Sequence, residues 1–437
     1  MTEPQWVPGD ESGLQIPASV SALREGGAEF LTTAFHASGA LAASNRVVRV
    51  TQAEECFGGG TGSKMLLAVA YEHPQEDLPE QLFVKFSRNF DDPSRDRSRH
   101  LMVSEIQFAA LSRTPGFPIR VAQCMFADFY AETGTGLIIT ERVPFDTQGN
   151  EPAYAKCLDY TVPEPLEHYR AIVRALARLS GSYKAGSLHP GFYQRFPYDA
   201  ETSIAREKFI YDAAQTERRA LRVCEFITRY PQLFPDNLRD PAFLARFPAE
   251  ALAFHARGDA VRRLIFSEMD LISLCHWNAN IDNAWFWRNG EGELECGLLD
   301  WGHVGQMSVA QTIYGGFSGA ENDLWDDHLE DIVATFADEY ARCGGPQLDP
   351  VQLQEHVLLM TGWMGIAYLM DYPSVLEKRV ENLAGVSDYR DAPIRDNEDA
   401  RVPLHMLSMF LNQWQTRDIG GLAERLLDAH SPTARSA

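Results

Sequence analysis

Apolar positions along this chain keep two different periods, and the switches between them divide it. Residues 1–45 carry helical spacing around Ser21-Ala-Leu-Arg-Glu25 and Ala28-Glu-Phe-Leu-Thr-Thr-Ala-Phe35, which predicts a helical N-terminal segment. From Arg46 the period drops to two. Val47-Val-Arg-Val50, Met65-Leu-Leu-Ala-Val-Ala-Tyr71, Gln81-Leu-Phe-Val-Lys-Phe86, Val121 to Tyr130 and Gly136 to Val143 read as strands of an antiparallel sheet. Between them, Asp96 to Arg113 returns to helical register through Leu101, Glu105, Phe108 and Leu111. Beyond residue 165 the pattern is almost wholly helical. Tyr169 to Leu179, Ala205 to Arg219, Ala251 to Phe266, Val357 to Met370, Leu404 to Leu411 and Leu422 to Leu427 are the runs. One interruption carries a hairpin, with a turn expected at Asn289-Gly290. The expected class is α+β, a sheet with one helix followed by a larger helical part.

Composition narrows the partners. At 437 residues the chain has room for two or more lobes, and 45 % hydrophobic with 23 % charged residues is a globular balance. The 39 basic and 61 acidic side chains leave a formal charge of −22, which repels phosphate backbones and anionic lipid, so neither nucleic acid nor membrane is expected as a partner. No apolar run reaches the ~18 to 20 residues that a membrane span needs. Met1-Thr-Glu-Pro-Gln-Trp6 has neither the basic start nor the apolar stretch of a secretory signal, and a cytoplasmic protein is expected. The seven cysteines lack a Cys-x-x-Cys pair and read as free thiols. Only six residues are lysines, which draws the eye to Lys85 near the end of a strand.

The chemistry gathers in Leu274-Cys-His-Trp-Asn-Ala-Asn-Ile-Asp-Asn-Ala-Trp-Phe286 and Cys296-Gly-Leu-Leu-Asp-Trp-Gly302. Asn283 and Asp300, at the ends of neighbouring strands, offer hard oxygen ligands to Mg²⁺, which keeps substrate phosphates as its other ligands. Upstream, Cys56-Phe-Gly-Gly-Gly-Thr-Gly-Ser63 is a glycine-rich turn between two strands, where backbone N–H groups can approach phosphate oxygens. No Gly-Lys-Ser/Thr opens a helix after it, which argues against a P-loop.

In this order, glycine-rich hairpin, strand lysine, helix glutamate, His276-x-x-x-x-x-x-Asn283 and Asp300-Trp-Gly302, the motifs resemble the protein-kinase-like fold. They are most similar to its small-molecule branch: aminoglycoside phosphotransferase, choline kinase and ecdysteroid-kinase-like proteins. The resemblance implies a bilobal fold, with an N-lobe over 46–144 and a helical C-lobe over 145–437, and ATP with Mg²⁺ as cofactors. It implies that Gly58, Gly59, Gly60 and Gly62 cover the phosphates and that Lys85, braced by Glu105, holds them. Asn283 and Asp300 would bind the metal, His276 would support the catalytic loop, and Glu141 to Val143 would form the hinge whose backbone meets adenine. The acceptor would be a hydroxyl of a small molecule, an alcohol or an amine-bearing one. The acidic run Glu321 to Glu355, ten carboxylates against Arg342, favours an amine if it faces the substrate, and is a solvated helix face otherwise. Trp277, Trp285, Trp301 and Trp363 form either an apolar binding wall or core.

One position departs from the pattern. Where the family has its catalytic Asp, two residues after the histidine, this chain has Asn278, and an amide cannot take a proton at neutral pH. Asp282 is the neighbouring carboxylate, although adjacent side chains on an extended loop point apart. Three readings follow: a small-molecule kinase that tolerates or compensates the change, a nucleotide-binding pseudokinase that acts as a scaffold for a protein partner, or a site redirected to another transfer such as nucleotidylation.

Overall fold

The computed structural model describes residues 5–56 and 62–429. It divides into two units. The first is made of residues 1–151, 188–196 and 297–305, and the second of the remainder. The class is α+β, with the antiparallel sheet in the first unit and helices dominating the second.

The first unit opens with a small hairpin rather than with helix alone: β1 (Trp6–Pro8) pairs with β2 (Gln15–Pro17) before α1 (Val20–Ala37) begins at the Ser19 cap. Three-residue strands lie below the length at which alternation becomes visible. Five strands follow: β3 (Val47–Cys56), β4 (Lys64–Tyr71), β5 (Gln81–Phe86), β7 (Cys124–Tyr130) and β8 (Thr135–Glu141), with the two-residue β6 (Arg120–Val121) between β5 and β7 in the chain. They form one antiparallel sheet in the order β3-β4-β5-β8-β7. Successive side chains on a strand point to opposite faces. Leu82, Val84 and Phe86 of β5 therefore join Met65, Leu67, Val69, Leu137 and Ile139 against Phe30, Leu31 and Phe35 of α1. The same period turns Lys85 to the other face, where α2 (Arg95–Leu111) packs through Met102 and Ile106 onto Phe129 and Ile138. Gly297 and Leu298 run parallel to β6 at this unit's edge.

In the second unit, α3 (Pro165–Lys184) is buried along most of its length, from Tyr169 to Tyr183. Ser180 is buried on this helix. Its hydroxyl donates to the Leu274 carbonyl (3.0 Å) and its own carbonyl accepts from the Ser273 hydroxyl (2.7 Å). That ties α3 to β9 (Ile272–Cys275), the strand that leads into the polar loop. After the loop come β10 (Ala284–Arg288) and β11 (Leu294–Leu298). Their turn spans Asn289 to Glu293 rather than closing at Asn289-Gly290. The Asn289 side chain accepts from the Glu291 and Glu293 amides, and Gly292, not Gly290, takes the left-handed conformation.

Two expected helices are each broken in two. Ala205 to Arg219 crosses from helix Ala200–Arg206 to helix Ala213–Arg229, because Asp212 and Gln215 build a capping box that starts a new helix. Ala251 to Phe266 crosses from Pro241–Ala256 to Gly258–Ser267. Helices Asn322–Arg342, Pro350–Tyr368, Glu398–Thr416 and Ile419–Ala429 complete the unit, with Trp325, Trp363 and Trp414 in its core. No helix among the described residues is long and apolar enough to cross a membrane, and all seven cysteines are free thiols.

Candidate functional site

In the first unit the Lys85 ammonium lies between two carboxylates. It donates to both Glu105 oxygens, at 2.9 and 2.7 Å, and to Asp300 Oδ1 at 2.9 Å. Lys85 and Glu105 are both below 10 % exposed, whereas the Asp300 side chain is 45 % exposed. Burial by itself would push the lysine down, but the charges and hydrogen bonds of Glu105 and Asp300 outweigh it and hold its pKa above the ordinary value. The ammonium stays charged. Asp300 itself follows β11 with φ of 57°, a left-handed conformation that turns the chain sharply as it leaves the strand. Trp301 is core, not a binding wall: its ring stacks on Phe108 of α2 and its indole N–H donates to the Leu298 carbonyl at 3.2 Å.

The glycine-rich turn lies partly outside the described residues, as Gly58, Gly59 and Gly60 do. Gly62 is described, with φ of +89°, and a Cβ there would sit 2.2 Å from the Phe86 carbonyl oxygen. No other residue fits that approach. Lys64, two residues on, stands directly opposite Lys85 in the β4–β5 register, and burial followed by the neighbouring Lys85 charge lowers its pKa. At the expected hinge, Glu141 Oε1 accepts from the Gln123 amide at 3.0 Å and Val143 is buried.

In the second unit, the loop after β9 is held from several sides. The buried His276 ring accepts the Asn278 amide at Nδ1 (3.1 Å), and the His276 carbonyl accepts from the Thr312 hydroxyl. Helix Val309–Phe317 comes so near that a Cβ on Gly315 would overlap the Trp277 carbonyl oxygen, at 1.5 Å. Asn283 donates its Nδ2 to the Asn278 carbonyl (2.8 Å). Asp282 sits in the single 3₁₀ turn Ile281–Asn283 beside it.

Asn278 has partners that the sequence did not suggest. Its Oδ1 accepts from Asn280 Nδ2 at 2.8 Å and from Lys156 Nζ at 3.4 Å. A lysine ammonium has donors only, so the atom facing it is the amide oxygen. Asn280 is buried, and its own Oδ1 accepts from the Ser318 hydroxyl at 3.2 Å. Lys156 is anchored through its carbonyl, which accepts from Nε of the buried Arg401 at 2.8 Å. Cys157 and Arg401 line a cavity of about 340 Å³ with Tyr160, Phe234, Glu321 and Tyr389. Near it, burial pushes the Asp159 carboxyl up to about 8, the Tyr169 hydroxyl bond opposes this, and the charges of Glu321, Asp282 and Asp323 add to the rise. The scarcity of lysine singled out Lys85, not Lys156. Nothing local marks Asp159, Asn280 or Arg401.

Part of the acidic run is paired with arginines. Asp331 holds Arg170, Glu339 holds Arg178 and Arg342, and Glu330 holds Arg417. Glu321 and Asp323 are its members on the cavity. Trp285 and Trp363 are core, the latter stacked on Phe209 at 3.8 Å.

Among the described residues no group of three or more His, Cys, Asp or Glu side chains is placed to hold a metal. Mg²⁺ does not require one, since it is commonly held by one or two carboxylates with waters and phosphates. No protein-family model matches the sequence, and no curated protein matches it. Among solved structures, a choline kinase from Cryptosporidium parvum Iowa II is similar over 86 % of this chain and 93 % of its own, at 12 % identity and TM-score 0.43. A choline kinase from Streptococcus pneumoniae is similar over 86 % and 95 %, at 15 % identity and TM-score 0.39. An aminoglycoside-3'-phosphotransferase of type VIII is similar over 71 % and 93 %, at 18 % identity and TM-score 0.37.

Proposed function

We propose that this chain is a small-molecule phosphotransferase that uses ATP and Mg²⁺, with a hydroxyl as the acceptor the sequence resemblance implies. The observation that carries the reading is the buried Lys85 ammonium held by Glu105 and left in contact with the half-exposed Asp300. A cation fixed by a buried carboxylate, with its remaining face on a solvent-accessible one, suits phosphate oxygens that arrive with a metal ion.

Lys85 neutralises phosphate charge and Glu105 keeps its ammonium in place. Asp300 and the Asn283 Oδ1 are oxygen ligands of the type Mg²⁺ takes, and Gly62 lets backbone come close to phosphate. Bound Mg²⁺ would neutralise charge on the transferred group. His276 holds the loop by accepting the Asn278 N–H. Phosphoryl transfer asks little of a protein beyond such positioning and charge balance.

The nucleotide-binding scaffold is the second reading, and Asn278 favours it: its Oδ1 already accepts two hydrogen bonds and offers a hydroxyl no acceptor. Calorimetry with ATP and Mg²⁺ on the wild type and on Asp300→Ala, followed by ADP release with and without acceptors, separates the two. Binding lost in the variant together with acceptor-stimulated turnover supports the phosphotransferase. Binding without turnover under every acceptor supports the scaffold, and no nucleotide binding removes both.

A further inference from the structure

We propose that the acceptor of this site is a carboxylate, which Lys156 and the Asn278 amide hold and which needs no general base. The proposal rests on the phosphotransferase reading and changes its acceptor.

The argument is one of donors and acceptors. Lys156 fixes the orientation of the Asn278 amide, and Asn280, itself oriented by Ser318, occupies the same oxygen. The Asn278 Nδ2 donors make no bond within the described residues. At the place where an alcohol kinase presents a carboxylate to accept a hydroxyl proton, this chain presents an amide N–H and an ammonium. Such a pair binds an oxyanion through charge-assisted hydrogen bonds and has nothing to offer the proton of an alcohol. A carboxylic acid has a pKa of about 4 and is already ionised at neutral pH, so its oxygen attacks without losing a proton. Arg401 holds the Lys156 backbone carbonyl and, with Cys157, lines a neighbouring cavity of about 340 Å³, a size for a small organic acid. Arg390 also lines that cavity, with its guanidinium 4.5 Å from the Tyr160 ring centre, while the Tyr389 hydroxyl holds Glu321 at 3.0 Å.

The step balances without proton transfer. A carboxylate oxygen forms a bond to the γ-phosphorus of the nucleoside triphosphate. The bond from that phosphorus to the β,γ-bridging oxygen breaks, and the nucleoside diphosphate leaves with the electron pair. The products are an acyl phosphate and the diphosphate.

The test pairs carboxylates with their alcohols, such as benzoate with benzyl alcohol and glutarate with 1,5-pentanediol. The full chain is incubated with ATP, Mg²⁺ and hydroxylamine, which converts an acyl phosphate to a hydroxamate that is read as its ferric complex. Hydroxamate from at least one carboxylate is expected, with ADP release unmoved by the matched alcohol. Lys156→Met is expected to raise the KM for that carboxylate tenfold or more while ATP affinity by calorimetry stays unchanged. Lys156→Arg keeps the charge and is expected to stay within a few-fold of wild type. Binding of the carboxylate without nucleotide, followed by NMR line broadening, is expected to weaken in the Met variant in parallel. If ATP binds and alcohols stimulate ADP release but no carboxylate yields hydroxamate, the proposal is overturned and the phosphotransferase reading stands. A carboxylate KM indifferent to Lys156→Met, in a variant with wild-type thermal unfolding, also overturns it. If ATP does not bind at all, both fall together.

Discussion

Phe108 and Trp301 stack face to face, 3.8 Å between ring centres and 18° apart in plane. Phe108 lies three residues after Glu105 on α2, so a single helix holds the tryptophan of the Asp-Trp-Gly segment and the lysine that touches its aspartate. Neighbours at i and i+3 lie on one face of a helix, which is how one element reaches both partners. Replacing Trp301 by Ala removes the stack and leaves a cavity, at a cost of about 3–5 kcal/mol. Trp301→Phe keeps a ring against Phe108 and is expected to cost much less. Denaturant unfolding measures both, and calorimetry should show ATP affinity falling in the Ala variant. Equal stability of the two variants would mean that the stack contributes nothing.

Asn278→Asp is expected to convert an occupied acceptor into a base. The new carboxylate keeps the Asn280 bond and gains an ion pair with Lys156, so the fold should tolerate it. General-base help is worth about 10²–10⁴-fold. Turnover with alcohol acceptors should rise by up to that factor, while carboxylate acceptors lose ground to the added negative charge. Steady-state kinetics with both acceptor classes checks this, and an unchanged preference would count against the role given to position 278.

The buried Asp159 carboxyl, pushed up to about 8, has a consequence for stability against pH. Its folded pKa lies above its unfolded value near 3.8, so the folded state holds the proton more tightly between the two. Stability is fully present below the lower value and is lost as pH rises through the higher one. Asp159→Asn removes that dependence. The variant should gain on wild type between about pH 4 and 8 and keep a constant lead above. Urea unfolding across this range decides it, and parallel curves would show that Asp159 is ionised in the fold.

Gly315 has no room for a methyl group, because the Trp277 carbonyl oxygen would lie 1.5 Å from its Cβ. Gly315→Ala must push helix Val309–Phe317 away from the loop that carries Asn278 and Asn283. Overpacking of this kind costs about 1–3 kcal/mol or more. A loss of thermal stability together with weakened acceptor binding is expected. Wild-type behaviour in both would mean that the loop shifts without consequence.

What the sequence by itself determined is what local periodicity can carry. Alternation along Gln81–Phe86 sends Leu82, Val84 and Phe86 to one face and Lys85 to the other, and helical spacing places Glu105 on the element packed there. The spacing of His276, Asn283 and Asp300 marked the two loops in the same way. Local pattern failed where a boundary depended on a cap, as at Asp212, or where strands were three residues long, as at Trp6–Pro8. Tertiary structure alone decided the charge around Asn278. Lys156 lies 122 residues before it, and the Lys85–Asp300 contact joins positions 215 apart. A side chain's donors and acceptors are read from its own identity, but whether they remain open to a substrate depends on what the fold brings beside them. At Asn278, an amide that by its identity takes no proton, the fold brought an ammonium and a second amide to the side-chain oxygen.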